Sequence, residues 1–170
     1  GHSYGTEGTE SCVQIDRLDR ELGAFFDRLD RLGIDYVVML TADHGGRDLP
    51  ERHQLNAMPM QGRVDIALTP KALSAAVAQK AGIVGITPIR GDGPQGDLYF
   101  DIGLSAAQRA RVEAEALKLL RAHPQVQAVF TRAQIAATPS PSGPPENWSL
   151  IEEARAGFDP HRSGDLLLLL

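Results

Sequence analysis

The run Tyr36-Val37-Val38-Met39-Leu40-Thr41 constrains the fold of this chain more than any other feature. It is apolar on both faces and partly β-branched, the pattern of a strand buried from two sides. It comes directly after a segment in which Ile15, Leu18, Leu22, Phe25, Phe26 and Leu29 recur at helical spacing and form one apolar face. Asp16/Arg20 and Asp27/Arg31 fall four apart on the outer side of that helix. Gly33 stands where a left-handed C-terminal cap belongs. A helix feeding straight into a doubly buried strand is the αβ half of a parallel α/β unit. The strand is expected to end at Asp43-His44-Gly45-Gly46, with a polar loop containing Pro50 after it.

The middle of the chain changes character. Val64-Asp65-Ile66-Ala67-Leu68 alternates like a strand with one exposed face. Pro70 to Lys80 is Ala-rich and helical, with Pro70 suited to the first turn. Gly82 to Gly96 reads as loop, and Leu98-Tyr99-Phe100-Asp101-Ile102 as a short strand. Ser105-Ala106-Ala107-Gln108 has the form of a capping box opening a helix over 105–122, and Val126 to Phe130 follows as a strand. This β-α-β-α-β order predicts a small α+β subdomain. Ile135 to Pro145 reads as a Pro/Ser linker, Trp148 to Ala156 as a short helix anchored by its Trp, and Leu166 onward as a strand. The expected organisation is a core α/β segment over 1–60, an inserted α+β subdomain over 61–136, a linker over 137–147, and a return to the core sheet over 148–170.

Composition narrows the function. With 42% hydrophobic residues a packed core is possible, and with only 5% aromatics it must rest on Leu, Val, Ile and Ala. The formal net charge of −5 argues against a basic nucleic-acid-binding surface. The single cysteine, Cys12, excludes an intrachain disulfide and a cysteine-rich zinc site; it reads as a packed residue at the start of the first helix. No stretch approaches the roughly 20 apolar residues of a membrane helix. The chain opens at Gly1-His2-Ser3 with no initiator Met and no signal region, and stops inside five leucines. It is expected to be a piece of a longer protein.

The sharpest chemical feature is Asp43-His44. In open α/β sheets ligands bind beyond the carboxyl ends of the strands, where this pair is expected to lie. A carboxylate and an imidazole together suit Zn²⁺ or a similar divalent ion, and two following glycines let the backbone break and a ligand approach. The competing reading is a plain strand-end turn. His2, in a Gly-flanked loop before the helix, is a second candidate ligand. Asp48 could orient His44 or be a simple loop residue. His53 reads as solvated, His123 as a helix-end cation beside Pro124, and His161 as a surface residue. Arg162 is expected to pair with Asp165 or support the turn before the last strand.

Gly1-His2-Ser3-Tyr4-Gly5, the amphipathic helix, Thr41-Ala42-Asp43-His44-Gly45-Gly46 and Arg162-Ser163-Gly164-Asp165 together resemble the alkaline phosphatase superfamily, in its type I phosphodiesterase/nucleotide pyrophosphatase branch. The resemblance covers most of the chain. It includes bacterial alkaline phosphatases with a Thr nucleophile, and this chain would be a C-terminal portion. The resemblance implies an α/β fold with a mostly parallel sheet flanked by helices. It implies two zinc ions, with Asp43 and His44 on the one that activates the nucleophile and His2 on the other. It implies a metal-dependent phosphoric ester hydrolase working through a covalent phospho-enzyme on a small phosphate ester or nucleotide, in a periplasmic or secreted setting. The nucleophile, two Asp ligands and one His ligand of the family have no counterpart within these residues. Thr41 is not promoted to nucleophile, and no catalytic residue is assigned. On these terms the chain is expected to be inactive alone. Two other readings remain open: a non-catalytic α/β binding or structural domain, and a sister metalloenzyme branch such as a sulfatase or a phosphoglycerate mutase.

Overall fold

A computed structural model describes residues 4–42, 45–55 and 62–170. It divides into two compact units, residues 1–63 and 64–170.

The first unit is built on helix α1 (Thr9–Arg31) and the short helix α2 (Pro50–Leu55). The apolar spacing of α1 produces the helix expected from it, and Asp16 and Arg20 pair at 2.7 Å on its outer side. Its C-terminus is a Schellman motif: Gly33 takes φ +66°, its N–H donates to Asp30 O, and Ile34 N–H donates to Leu29 O. Phe26 stacks on Tyr36 with ring centroids 5.5 Å apart, and the Tyr36 hydroxyl donates to Asp30 Oδ1. No side chain of α1 is buried. Cys12, expected to be packed, is an exposed free thiol.

Tyr36–Thr41 departs from expectation. The segment is not a strand, and Val37, Met39 and Leu40 are 96%, 88% and 91% exposed. A strand buried on both faces needs neighbours to pair with, and no described residue pairs with this one. The mixed helix and strand content agrees with an α/β fold, but every described strand pairing is antiparallel.

The second unit carries the core. Helix α3 (Pro70–Ala81) starts with Pro70 at its first position and ends at Gly82 with φ +63°. Strands β1 (Ile89–Arg90) and β2 (Gly96–Phe100), helix α4 (Ala106–Arg121), strand β3 (Ala128–Thr131), helices α5 (Arg132–Ala137) and α6 (Leu150–Ala156), and strand β4 (Leu166–Leu169) follow. The sheet order is β1-β2-β4-β3. Leu166–Leu169, expected to rejoin a core sheet, pairs with β2 on one side and β3 on the other. Alternation is visible in both central strands: Leu98, Phe100, Leu166 and Leu168 are buried while Tyr99 is exposed. The buried residues pack with Leu73 and Val77 of α3 and with Val112, Ala116 and Leu120 of α4.

Three local expectations change. Gly82 to Gly96, expected as loop, contains β1 at Ile89–Arg90, paired with β2. Val64–Leu68 is not a strand, because Asp65 accepts from Ala67 N–H and closes a 3₁₀ turn over Ile66–Leu68. The segment from Ile135 is not linker throughout, because Thr131 and Gln134 form a capping box that starts α5. The capping box at Ser105 and Gln108 is present as expected. Trp148 Nε1 donates to Ser142 O and Gly143 O, tying down the irregular stretch before α6.

Candidate functional site

His2, Asp43 and His44, the three ligands expected from the sequence, lie outside the described residues. The chain on either side of them is described, and its geometry is specific. Asp48, four residues after His44, is buried with its side chain fully enclosed. Its Oδ1 accepts from Glu7 N–H at 3.1 Å, and Arg52 Nη1 reaches Oδ1 at 2.6 Å and Oδ2 at 2.8 Å. Arg52 Nη2 also donates to Tyr4 O at 3.3 Å. Asp48 and Arg52 stand one helical turn apart because Arg52 and His53 N–H groups close on Leu49 O as α2 begins. Burial alone would raise the Asp48 carboxyl, but the Glu7 N–H and the Arg52 guanidinium outweigh it and hold it below the usual carboxylate range.

Close approach of the two segments depends on glycine. Gly5 has φ +78°, and a methyl group there would overlap Asp48 Oδ1. A methyl on Gly46 would come 2.6 Å from Thr6 Cγ2. Ser11 Oγ, on α1, donates to Gly5 O at 2.6 Å. The segment after His2 and the segment after Asp43-His44 are therefore locked together through Asp48.

Glu7, Asp48 and His53 each offer a donor atom, and these atoms lie within 4.8 Å of one another, a group that could hold a cation. His53, expected to be solvated, is instead largely enclosed, with Nε2 4.0 Å from Glu7 Oε1. The Arg52 guanidinium already occupies both Asp48 oxygens, and its charge competes with a metal there. Sequence reasoning noticed Asp48 and His53 singly but did not join them. The available signal was Asp48-Leu49-Pro50-Glu51-Arg52, an acid and a base four apart around a Pro that opens a helix.

The Arg162-Ser163-Gly164-Asp165 segment has a structural explanation inside the second unit. Asp165 accepts from Phe100 N–H at 2.6 Å and from Arg109 Nη1 at 2.7 Å, while its own N–H donates to Leu98 O. Gly164 N–H donates to Asp97 Oδ1, and a methyl on Gly164 would come 2.7 Å from Leu98 O. Arg162 pairs with Asp159 at 3.4 Å, not with Asp165. His161 is exposed, with its N–H in a turn closed by Asp159 Oδ1. His123 Nε2 lies 3.3 Å from Asp65 Oδ2, joining the end of α4 to the turn before α3.

The described geometry joins Tyr4–Gly8, which follows His2 in sequence, to Asp48–Arg52, which follows Asp43-His44. The description of type I phosphodiesterases and nucleotide pyrophosphatases matches residues 1–170, and the chain belongs to that family. It is 76% identical over 170 residues to alkaline phosphatase PhoK of a Sphingomonas species. It is 44% identical over 171 residues to alkaline phosphatase PhoD of Zymomonas mobilis. All of this chain is covered in both comparisons, yet it spans about 30% of the length of each relative. Among the described residues no helix is long and apolar enough to cross a membrane.

Proposed function

We propose that this chain is part of a zinc-dependent phosphate ester hydrolase that works through a covalent phospho-enzyme. The observation that carries the reading is the 76% identity, along the whole chain, to a protein named alkaline phosphatase. Two imidazoles and a carboxylate, from His2, His44 and Asp43, form a nitrogen and oxygen donor set of the kind zinc takes. When bound, the metal pair lowers the pKa of an attacking oxygen and stabilises charge on the phosphoryl and leaving oxygens. Asp43 and His44 would hold the ion beside the nucleophile and His2 the other. The nucleophile itself would come from outside these residues. Tyr36–Thr41 would become a strand of a parallel sheet completed by the longer chain, delivering Asp43 and His44 at its carboxyl end. Residues 1–60 would form the ligand-bearing core segment and 61–136 an inserted subdomain. The substrate would be a small phosphate ester or nucleotide, encountered in the periplasm or outside the cell.

The test uses the full-length protein that contains this chain. It should carry about two zinc equivalents and hydrolyse an aryl phosphate at alkaline pH. Asp43→Ala and His44→Ala should each release zinc and bring turnover to background. The isolated 170-residue chain should show no turnover. A metal-free full-length protein, or an isolated chain as active as its parent, would contradict the proposal.

A further inference from the structure

A fully enclosed charged side chain, Asp48, follows the expected ligand pair Asp43-His44 by four residues and is not one of the expected ligands. Asp48 is buried, and besides its bonds from Arg52 it accepts one from Glu7 N–H, 41 residues earlier in sequence. The contact joins Tyr4–Gly8, which begins two residues after His2, to Asp48–Arg52, which begins four residues after His44. It is made from both sides: Asp48 binds Glu7 N–H, and Arg52 holds Asp48 while reaching Tyr4 O. Gly5 and Gly46 are the positions where the two segments touch too closely for a Cβ. Ser11 then ties the same joint to α1.

We propose that Asp48 is a positioning residue whose joint with Gly5, Glu7 and Arg52 fixes the His2-bearing stretch against the Asp43-His44-bearing stretch. The proposal rests on the zinc hydrolase reading above. Metal ligands from two distant stretches bind one ion pair only if those stretches keep a fixed separation, and partners outside the ligand set commonly supply that. Asp48 acts on the backbone that carries the ligands.

In the full-length protein, zinc affinity would be measured by competition with a chromophoric chelator, alongside kcat and KM for an aryl phosphate. Asp48→Asn removes the charge that holds Arg52. Gly5→Ala drives the segments apart from the other side. Both should weaken zinc binding by about 10- to 100-fold. Both should lower kcat at limiting zinc while KM stays within about twofold. Excess zinc should restore kcat, which loss of folded protein would not allow. The double variant should be no weaker than the worse single variant, since both open one joint. Unchanged zinc affinity in Asp48→Asn and Gly5→Ala, with or without a lower Tm, would overturn the proposal. So would a third zinc equivalent in the wild type that disappears with Glu7→Gln and Asp48→Asn, since Asp48 would then be a ligand. If Asp48→Asn does not fold, Arg52→Gln, which keeps Asp48 on Glu7 N–H, decides by the same readouts. A wild-type protein without zinc would defeat the hydrolase reading itself; a zinc-loaded wild type matched by its variants would defeat only the role of Asp48.

Discussion

At the scale of single residues, two aspartates show how a short acid is used in this chain. Asp48 and Asp165 each accept from a distant backbone N–H and from an arginine; Asp165 lies within a segment that the sequence marks as functional, and Asp48 two residues after one. Asp165 closes β2 against the start of β4 and holds Arg109 of α4, so it acts in folding. Asp165→Ala would leave Phe100 N–H unpaired in a partly enclosed site, and stability should fall by about 1–3 kcal/mol. Denaturant titration of the full-length protein would measure this. Zinc content should not change, whereas a ligand or positioning role would lower it. The sequence displayed Arg162-Ser163-Gly164-Asp165 clearly, but not the partner of its arginine. Arg162 pairs with Asp159, while Asp165 is held by Arg109, which arrives from 56 residues away in sequence. Local spacing cannot reveal a competitor that only tertiary structure brings in.

At the scale of elements, what was readable depended on whether the signal is local. The Schellman end of α1, Pro70 at the start of α3 and the box at Ser105 all involve residues within five positions of one another, and each appears where the sequence placed it. Ser105 Oγ accepts from Gln108 N–H at 3.3 Å, and Gln108 Oε1 accepts from Ser105 N–H at 2.9 Å. Ser105→Ala should therefore cost about 1 kcal/mol, seen as a lower unfolding midpoint with zinc affinity unaltered. A midpoint equal to wild type would mean that α4 is held by packing alone. Strands were less legible. Val64–Leu68 has the alternation of a strand, but Asp65 turns its own backbone into a 3₁₀ cap before any pairing can form. Ile89–Arg90 is a strand because Phe100 and Tyr99 lie opposite it, a condition absent from its own two residues. The candidate site divides in the same way. Asp43-His44 was visible as a motif, while the joint at Asp48 spans a separation that no local pattern encodes.

At the scale of the whole molecule, the two units differ in what holds them. Among the described residues, every buried hydrophobic side chain belongs to residues 64–170. The first unit leaves Ile15, Leu18, Leu22 and Phe25 of α1 exposed, together with Val37, Met39 and Leu40. A run of large apolar side chains this extensive is a surface made to be covered. Helices draw most of their stability from burying an apolar face, so α1 with its face open has little besides its propensity, its cap and its exposed ion pairs. Those pairs, Asp16–Arg20 and Arg17–Glu21, contribute only about 0.2–0.5 kcal/mol each. Both relatives are more than three times the length of this chain, so a protein of their size has ample chain to cover α1. Hydrogen exchange read by mass spectrometry would compare the isolated 170-residue chain with the full-length protein. In the isolated chain, α4 should be protected through its packed residues Val112, Ala116 and Leu120, while α1 exchanges rapidly and an apolar dye binds. In the full-length protein, α1 should be as protected as α4 and the dye should be excluded. Strong protection of α1 in the isolated chain would show that the helix needs no cover, and the exposed face would then have another use.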